Sequence, residues 1–206
     1  MNIAIIGTGN VGTALGRGWA RNGHTITYGT RDPEDASSRE GLAQTPGARL
    51  APSAEAARTA DVVVLAVPSA AVEAVLADLG DLGGRVLIDA TNPIGPGITH
   101  AAATSGGEQT ASWAQNARVV KAFNTTGFEN MLDADYGAHR PAMFFAGDDE
   151  EAKTTVAALV EALGFEPVDA GPLSRSRELE HLATLWISQA LQHGQGRGFA
   201  FAVLRR

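Results

Sequence analysis

The sequence has no cysteine among its 206 residues. This absence excludes disulfide bonds, thiolate metal ligands and a cysteine nucleophile. Long apolar runs are missing too, because the longest strand-like run, Val62 to Val67, is far shorter than the ~20 residues that span a bilayer. No basic region precedes the first apolar residues, so we predict no signal peptide, no membrane partner and a cytoplasmic protein.

Positive charge is scarce. The chain has 16 lysines and arginines against 23 aspartates and glutamates, a formal net charge of −7. This balance argues against nucleic acid as the main partner, but it is compatible with a local basic pocket that binds a phosphate. The length is sufficient for one domain with a sizeable core.

Glycine is abundant, and one glycine cluster has a recognisable context. A predicted strand, Asn2 to Ile6, runs into a G-x-G-x-x-G turn and then an amphipathic helix, which is the context in which this spacing binds dinucleotides. The first glycine makes the turn, the second lets the backbone approach a pyrophosphate, and the third lets the helix pack closely on the sheet. Free N–H groups at the helix N-terminus then bind the phosphates. The predicted cofactor-binding residues of this turn are Gly7, Thr8, Gly9, Asn10, Val11 and Gly12.

The end of the second predicted strand, Thr25 to Tyr28, selects the cofactor. An NAD site needs an acidic residue there to accept from the ribose 2′-hydroxyl, whereas an NADP site needs a cation and hydroxyls for the extra phosphate. This chain has Thr30 and Arg31, which favours NADP(H). In the alternative interpretation, Arg31 is a solvated surface residue and Asp32 is the ribose acid of an NAD site.

Strands and helices alternate along the rest of the chain. This order predicts right-handed crossovers and a Rossmann-type, doubly wound α/β fold with a mainly parallel sheet and a small C-terminal α/β extension. We expect residues 1–206 to form a single unit, with a dinucleotide-binding part over residues 1–140 and a smaller C-terminal part over residues 141–206. Residues 94–109, rich in small and polar residues, are predicted to form a long loop.

Ligands of open α/β sheets lie outside the carboxyl ends of the strands. Two later strand ends carry small or polar residues suited to the nicotinamide end of a cofactor, although turn formers such as these also end strands for purely structural reasons. The additional predicted cofactor-binding residues are Val67, Pro68, Ser69, Ala90, Asn92 and Pro93.

The strand that ends near Phe123 supplies the candidates on the side of the hydride acceptor: Lys121, Asn124 and Thr126. Lys121 is the best candidate proton donor, with a structural or solvated lysine as the alternative. The histidines and serines form no arrangement typical of nucleophilic catalysis. A site with so few acids and bases fits direct hydride transfer, in which positioning contributes most.

Several segments resemble the F420-dependent NADP oxidoreductase family: Gly7–Gly12, Gly29–Arg31, Val119–Thr125, Asp169–Ser174 and Arg177–Ile187. The resemblance implies a Rossmann domain with a small C-terminal part, a homodimer, and a hydride passed between NADPH and the deazaflavin F420. It places the pyrophosphate at Thr8 to Val11 and the 2′-phosphate at Thr30 and Arg31. Family members often have a histidine where this chain has Asn124 and an apolar residue where it has Thr126.

The Val119–Thr125 run is also similar to the cytosolic domain of six-transmembrane metalloreductases, which reduces a flavin, so FMN or FAD is an alternative acceptor. The other hypotheses are an NADPH-dependent reductase of a small imine or carbonyl and a non-enzymatic NADP(H) redox sensor. The last helix and the apolar segment Phe199–Leu204 suggest a homodimer surface, with packing into the core of the same chain as the alternative.

Overall fold

In the computed structural model, which describes residues 1–100 and 104–206, the apolar runs become strands covered by helices on both faces. The strands are β1 Asn2–Ile6, β2 Thr25–Thr30, β3 Arg49–Pro52, β4 Val62–Leu65, β5 Asp81–Asp89, β6 Ile94–Gly95, β7 Thr99–His100, β8 Gln115–Lys121, β9 Ala142–Gly147 and β10 Glu166–Asp169. The helices are α1 Asn10–Arg21, α2 Ala36–Ala43, α3 Ser53–Arg58, α4 Val72–Leu79, α5 Gly106–Trp113, α6 Phe128–Leu132, α7 Glu150–Ala162 and α8 Ser176–Leu191.

Eight strands form one sheet in the order β10-β9-β8-β5-β4-β1-β2-β3. The β8–β9 pair is antiparallel, and every other neighbouring pair in this sheet is parallel. Strand order reverses between β1 and β4, and such a switch creates the ligand crevice at the carboxyl ends of the strands. The Rossmann-type fold predicted from the sequence is confirmed.

The core lies on both faces of the central strands. Along β1, Ile3 and Ile5 are buried with Leu15 and Trp19 of α1, whereas Ala4 and Ile6 are buried in the cluster on the opposite face. A strand buried on both faces reads as a continuous apolar run, which is why β1 and β4 stand out in the sequence.

The prediction of a long loop over residues 94–109 is wrong. This segment contains the β6–β7 hairpin, in which Ile94 pairs with His100, and the start of α5 at Gly106. Ser105 and Glu108 form a reciprocal capping box at the start of α5, and this S-x-x-E spacing is a helix-start signal present in the sequence. Part of the predicted loop, residues 101–103, lies outside the described residues.

The chain after α8 packs back onto the body of the protein. Trp186 stacks on Phe199 at a centroid distance of 5.2 Å, and its indole N–H donates to the Phe199 carbonyl over 2.8 Å. Arg197 forms a bidentate ion pair with Glu129 of α6. In the part of the chain that the structure describes, no helix is long and apolar enough to cross a membrane.

The Glu129–Arg197 pair makes stability depend on pH. Burial raises the pKa of Glu129, but the hydrogen bond from Arg197, a backbone hydrogen bond and the guanidinium charge outweigh it, so the pKa lies below its ordinary value of 4.5. Such a carboxyl stabilises the fold above its unfolded-state pKa and loses this effect as pH falls through the folded-state pKa. We expect Glu129→Gln to lower the Tm at neutral pH, with a difference from wild type that disappears in acid. A difference that is constant with pH contradicts this role.

Candidate functional site

The glycine turn has the geometry that the motif requires. Gly7 has φ of 117°, and a Cβ on it would lie 2.4 Å from the Ala66 carbonyl oxygen. A Cβ on Gly12 would lie 2.2 Å from the Gly7 carbonyl oxygen, so this glycine permits the close approach of α1 to the turn. In contrast, a Cβ on Gly9 meets no described atom within 4 Å. The turn therefore faces open space at Gly9, where a pyrophosphate would need room.

Helix α1 begins directly after Gly9 and points its N-terminus at this space. The Thr13 hydroxyl donates to the Thr8 carbonyl over 3.1 Å and holds the turn in place. Among the described side chains, none caps the N-terminus of α1. The first N–H groups of a helix have no partners within it, so those of Asn10 and Val11 are suited to binding an anion.

The end of β2 carries hydroxyls and a cation. The hydroxyls of Thr30 and Ser38 lie 2.9 Å apart. Arg31 is exposed and has no ion-pair partner within the described residues. Asp32, the alternative ribose acid, accepts from the backbone N–H of Glu34 over 2.9 Å, so one of its oxygens is already used in the local turn. This arrangement favours a phosphate over a ribose hydroxyl as the ligand.

The β4 and β5 ends lie side by side at the same edge of the sheet. The backbone N–H of Ala90 donates to the Leu65 carbonyl over 3.2 Å, which joins the two ends. Val67 and Ser69 are half-buried, Pro68 is exposed, and Pro93 is buried. The structure thus brings the predicted residues of these two strand ends together beside the glycine turn, since β4 is the neighbour of β1.

An amide pair joins the ends of β5 and β8. The side-chain N–H of Asn92 donates to the Asn124 backbone carbonyl over 2.8 Å, and the side-chain N–H of Asn124 donates to Asn92 Oδ1 over 3.0 Å. These two bonds fix which way each amide points. Asn124 Oδ1 is buried and has no hydrogen-bond partner in the described structure. A buried acceptor without a partner is costly, so Asn124 Oδ1 is a candidate for binding an N–H group of a ligand.

The backbone just before Asn124 is strained. Phe123 has φ of 60°, an uncommon value for a residue other than glycine, and its side chain is buried. Its ring packs edge-on against Trp19 at a centroid distance of 5.3 Å. Strained backbone held by packing is typical of functional sites, and here it sets the direction in which the chain presents Asn124.

Thr126 lies in a hydrogen-bonded chain. Its hydroxyl oxygen accepts from the side-chain N–H of Asn130 over 2.7 Å, and Asn130 Oδ1 accepts from the Tyr136 hydroxyl over 2.8 Å. Because the Thr126 oxygen is an acceptor in this chain, its own proton is available for donation to a ligand.

Lys121, the candidate proton donor, is fully buried. Its ammonium lies 3.0 Å from both Asp89 Oδ2 and Glu180 Oε1, and it donates to the Thr91 carbonyl over 2.6 Å. An ammonium has three N–H donors, and these three partners occupy them. The structure therefore places Lys121 behind the strand ends and leaves it no donor for a substrate.

Comparison with known proteins identifies the family. The profile of the family described as NADP oxidoreductase, coenzyme F420-dependent, matches residues 2–93. The F420-dependent NADP reductase of Methanothermobacter thermautotrophicus is 32% identical, with 91% of this chain and 88% of that protein covered. The chain belongs to the F420-dependent NADP oxidoreductase family. It is an NADP-dependent oxidoreductase, and its cofactor is NADP(H).

Solved structures share the architecture. A structure from Arthrobacter sp. FB24, assigned to the F420-dependent NADP reductases, is 32% identical with a TM-score of 0.88 and covers 100% of both chains. A reductive aminase from Aspergillus terreus in complex with NADPH is 24% identical with a TM-score of 0.70, covering 94% of this chain and 63% of that one. At this identity the aminase shows a shared fold alone.

A longer protein is also similar to this chain. Metalloreductase STEAP3 from Rattus norvegicus is 29% identical over 86% of this chain, which spans 35% of that protein's length.

Some residues at the site were not recognised in the sequence. Ser38 reaches Thr30 from α2, and Asn130 reaches Thr126 from α6. Glu180 reaches Lys121 from α8. Ser38 could have been found as a hydroxyl in the helix that follows the β2 end, but the sequence contains no local signal that pairs Lys121 with Glu180.

Proposed function

We propose that this oxidoreductase transfers a hydride between NADP(H) and a deazaflavin, F420, or a flavin. The observation that carries the proposal is the chemistry of the β5 and β8 ends. Residues 90–93 and 122–127 contain amides and hydroxyls but no titratable side chain. Reduction of an imine or carbonyl needs a proton donor close to the reacting atom, whereas hydride transfer between two ring systems depends mainly on their positioning.

The proposed cofactor site follows the carboxyl ends of four adjacent strands. Gly7 to Gly12 would hold the pyrophosphate, and Thr30, Arg31 and Ser38 would hold the 2′-phosphate. The bound dinucleotide supplies the hydride. Its nicotinamide end would lie against the β4 and β5 ends, where the proposed contacts are Val67, Pro68, Ser69, Ala90, Asn92 and Pro93.

The proposed acceptor side is formed by Asn124 and Thr126. Asn124 Oδ1 lacks a partner, and the Thr126 hydroxyl retains a proton to donate. An acceptor and a donor in the same short segment match a ligand edge that carries both N–H and C=O groups. The nicotinamide carboxamide and the pyrimidine ring of flavins and deazaflavins both have such an edge.

The two acceptor classes have separate support. The 32% identity to the F420-dependent NADP reductase of Methanothermobacter favours F420. The similarity to the rat metalloreductase, together with asparagine in place of the expected histidine at position 124, favours a flavin as the second candidate.

We also propose that the chain is one structural unit and assembles as a homodimer. Strands β9 and β10 of the C-terminal part extend the same sheet. Leu185 and Leu191 on α8 are 49% and 58% exposed, and Leu204 is 78% exposed. Exposed leucines on one helix and the adjoining tail support an interface with a second copy.

The proposal is tested by following the NADPH absorbance with F420, FMN, FAD and a panel of small imines and carbonyls, with protein-free reactions as blanks. We expect rapid oxidation with F420 or a flavin and none above the blank with the panel. Turnover of an imine or carbonyl alone would overturn the assignment of the acceptor. Tight NADPH binding without turnover on any acceptor would indicate a redox sensor instead.

A further inference from the structure

A buried ionic cluster lies directly behind the amide pair. Asp89, Lys121 and Glu180 have fully buried side chains and come from β5, β8 and α8. Two carboxylates and one ammonium give the cluster a formal charge of −1, and the Thr110 hydroxyl donates to Asp89 Oδ2 over 3.1 Å. Burying charges carries a desolvation cost that pairing often only offsets, so stability alone is a weak explanation for such a cluster.

The cluster holds the backbone of one residue from both sides. The Thr91 N–H donates to Asp89 Oδ1 over 2.9 Å, and the Thr91 carbonyl accepts from Lys121 over 2.6 Å. Both main-chain polar groups of Thr91 are thus bonded to charged members of the cluster. Charge-assisted hydrogen bonds are stronger than neutral ones, so the position of Thr91 is tightly defined.

Thr91 and Lys121 each lie a short distance along the chain before one member of the amide pair. Asn92 follows Thr91, and Asn124 lies three residues after Lys121. Asn92 and Asn124 bond to each other across the two strand ends. A displacement of Lys121 would therefore move both amides and the unpaired Asn124 Oδ1.

Glu180 fixes the cluster to the C-terminal helix. Its carboxylate accepts from the N–H groups of Gly106 and Gly107 over 3.0 Å each, and it lies 2.7 Å from the imidazole of His100. These bonds hold the Glu180 carboxylate in place, with its Oε1 3.0 Å from the Lys121 ammonium.

We propose that Lys121 is a positioning residue for the nicotinamide end of the cofactor. Through Thr91 it sets the Asn92–Asn124 amide pair and the direction of Asn124 Oδ1. This inference rests on the proposed cofactor site. A merely structural role of Lys121 would affect the binding of both ends of the dinucleotide. The positioning role affects the binding of the nicotinamide end and not of the adenosine end.

The test compares the binding of two ligands by titration calorimetry. NADPH carries the nicotinamide, whereas adenosine 2′,5′-bisphosphate lacks it and carries only the 2′-phosphate expected at Arg31, the adenosine and one phosphate of the pyrophosphate. In Lys121→Met we expect the Kd of NADPH to rise about tenfold, as for the loss of a well-placed hydrogen bond, and the Kd of the bisphosphate to stay within about twofold.

Lys153→Met is the matched control. Lys153 is also a mostly buried lysine, paired with Glu150 and with Asp169 over 3.0 Å. Asp169 ends β10, which is separated from β8 by β9, and Lys153 bonds to none of Thr91, Asn92 and Asn124 among the described residues. We expect Lys153→Met to leave both Kd values unchanged.

If Lys121→Met does not fold, the double variant Lys121→Met/Glu180→Gln is used in its place. The double variant keeps the formal charge of the cluster at −1, because Asp89 is then its one charged member. The expected change in the two Kd values is the same. Equal weakening of both ligands, or no weakening of NADPH, would overturn the positioning role. Failure of the wild-type protein to bind either ligand would instead refute the proposed cofactor site.

Discussion

Replacing Gly7 by alanine is expected to lower the free energy of unfolding by about 2–6 kcal/mol. The fraction of the protein that misfolds as a result should not bind NADPH. Backbone strain at φ of 117° contributes about 1–3 kcal/mol. The new Cβ would lie 2.4 Å from the Ala66 carbonyl oxygen, and overpacking of this kind contributes a further 1–3 kcal/mol, roughly. Urea denaturation of Gly7→Ala and wild type measures the difference.

Substitutions at two other glycines separate the effect of backbone strain from the effect of overpacking by the new Cβ. Gly23 has φ of 81° and open space around a Cβ, so Gly23→Ala should show the strain alone, about 1–2 kcal/mol. Gly9 has φ of −74° and open space, so Gly9→Ala should leave stability within about 0.5 kcal/mol of wild type. Its methyl group would nevertheless obstruct the pyrophosphate and weaken NADPH binding about tenfold. A Gly9→Ala variant that binds NADPH as wild type does would contradict the proposed pyrophosphate site.

Replacing Arg31 by methionine is expected to weaken NADPH binding about 10- to 100-fold and to leave NADH binding unchanged. Arg31 is exposed and has no ion-pair partner among the described residues, and it directly follows Thr30, whose hydroxyl lies 2.9 Å from that of Ser38. A charge-assisted bond from a guanidinium to the 2′-phosphate contributes about 1.5–3 kcal/mol, which corresponds to the expected change in affinity. Titrations of both dinucleotides at fixed, low ionic strength measure it, because salt screens exposed charges.

Arg39→Met is the control for this prediction. Arg39 lies on α2 in the same surface region, but it forms an ion pair with Glu34, and 58% of its side chain is exposed. We expect this variant to bind NADPH as wild type does. If Arg31→Met and Arg39→Met weaken NADPH equally, the effect is a general loss of surface charge, and Arg31 has no specific contact with the phosphate.

The nucleotide-binding half could be predicted from the sequence because its signals are local. The run from Asn2 to Ile6, the glycine turn and the stripe of Leu15 and Trp19 are all periodicity and spacing effects within about twenty residues. Strand pairing then follows from the rules for parallel sheets, which place β4 beside β1. The start of α5 was missed although Ser105 and Glu108 signal it.

The interior of the candidate site could not be predicted in the same way. Lys121 and Glu180 are 59 residues apart in the sequence, yet their side chains lie 3.0 Å apart. No local pattern announces this contact, because it depends on how α8 packs against the sheet. The positive φ of Phe123, whose buried ring packs against Trp19, is likewise a tertiary feature, and it sets the direction in which the chain presents Asn124.

The measurement that tests the account most directly follows a deuterium label from the transferable position of NADPH during reaction with F420. Direct hydride transfer predicts one reduced deazaflavin per NADPH oxidised, with the label retained on a ring carbon of the product. Release of the label to solvent, or an absence of NADPH oxidation with both F420 and flavins in a protein that binds NADPH, would contradict the account.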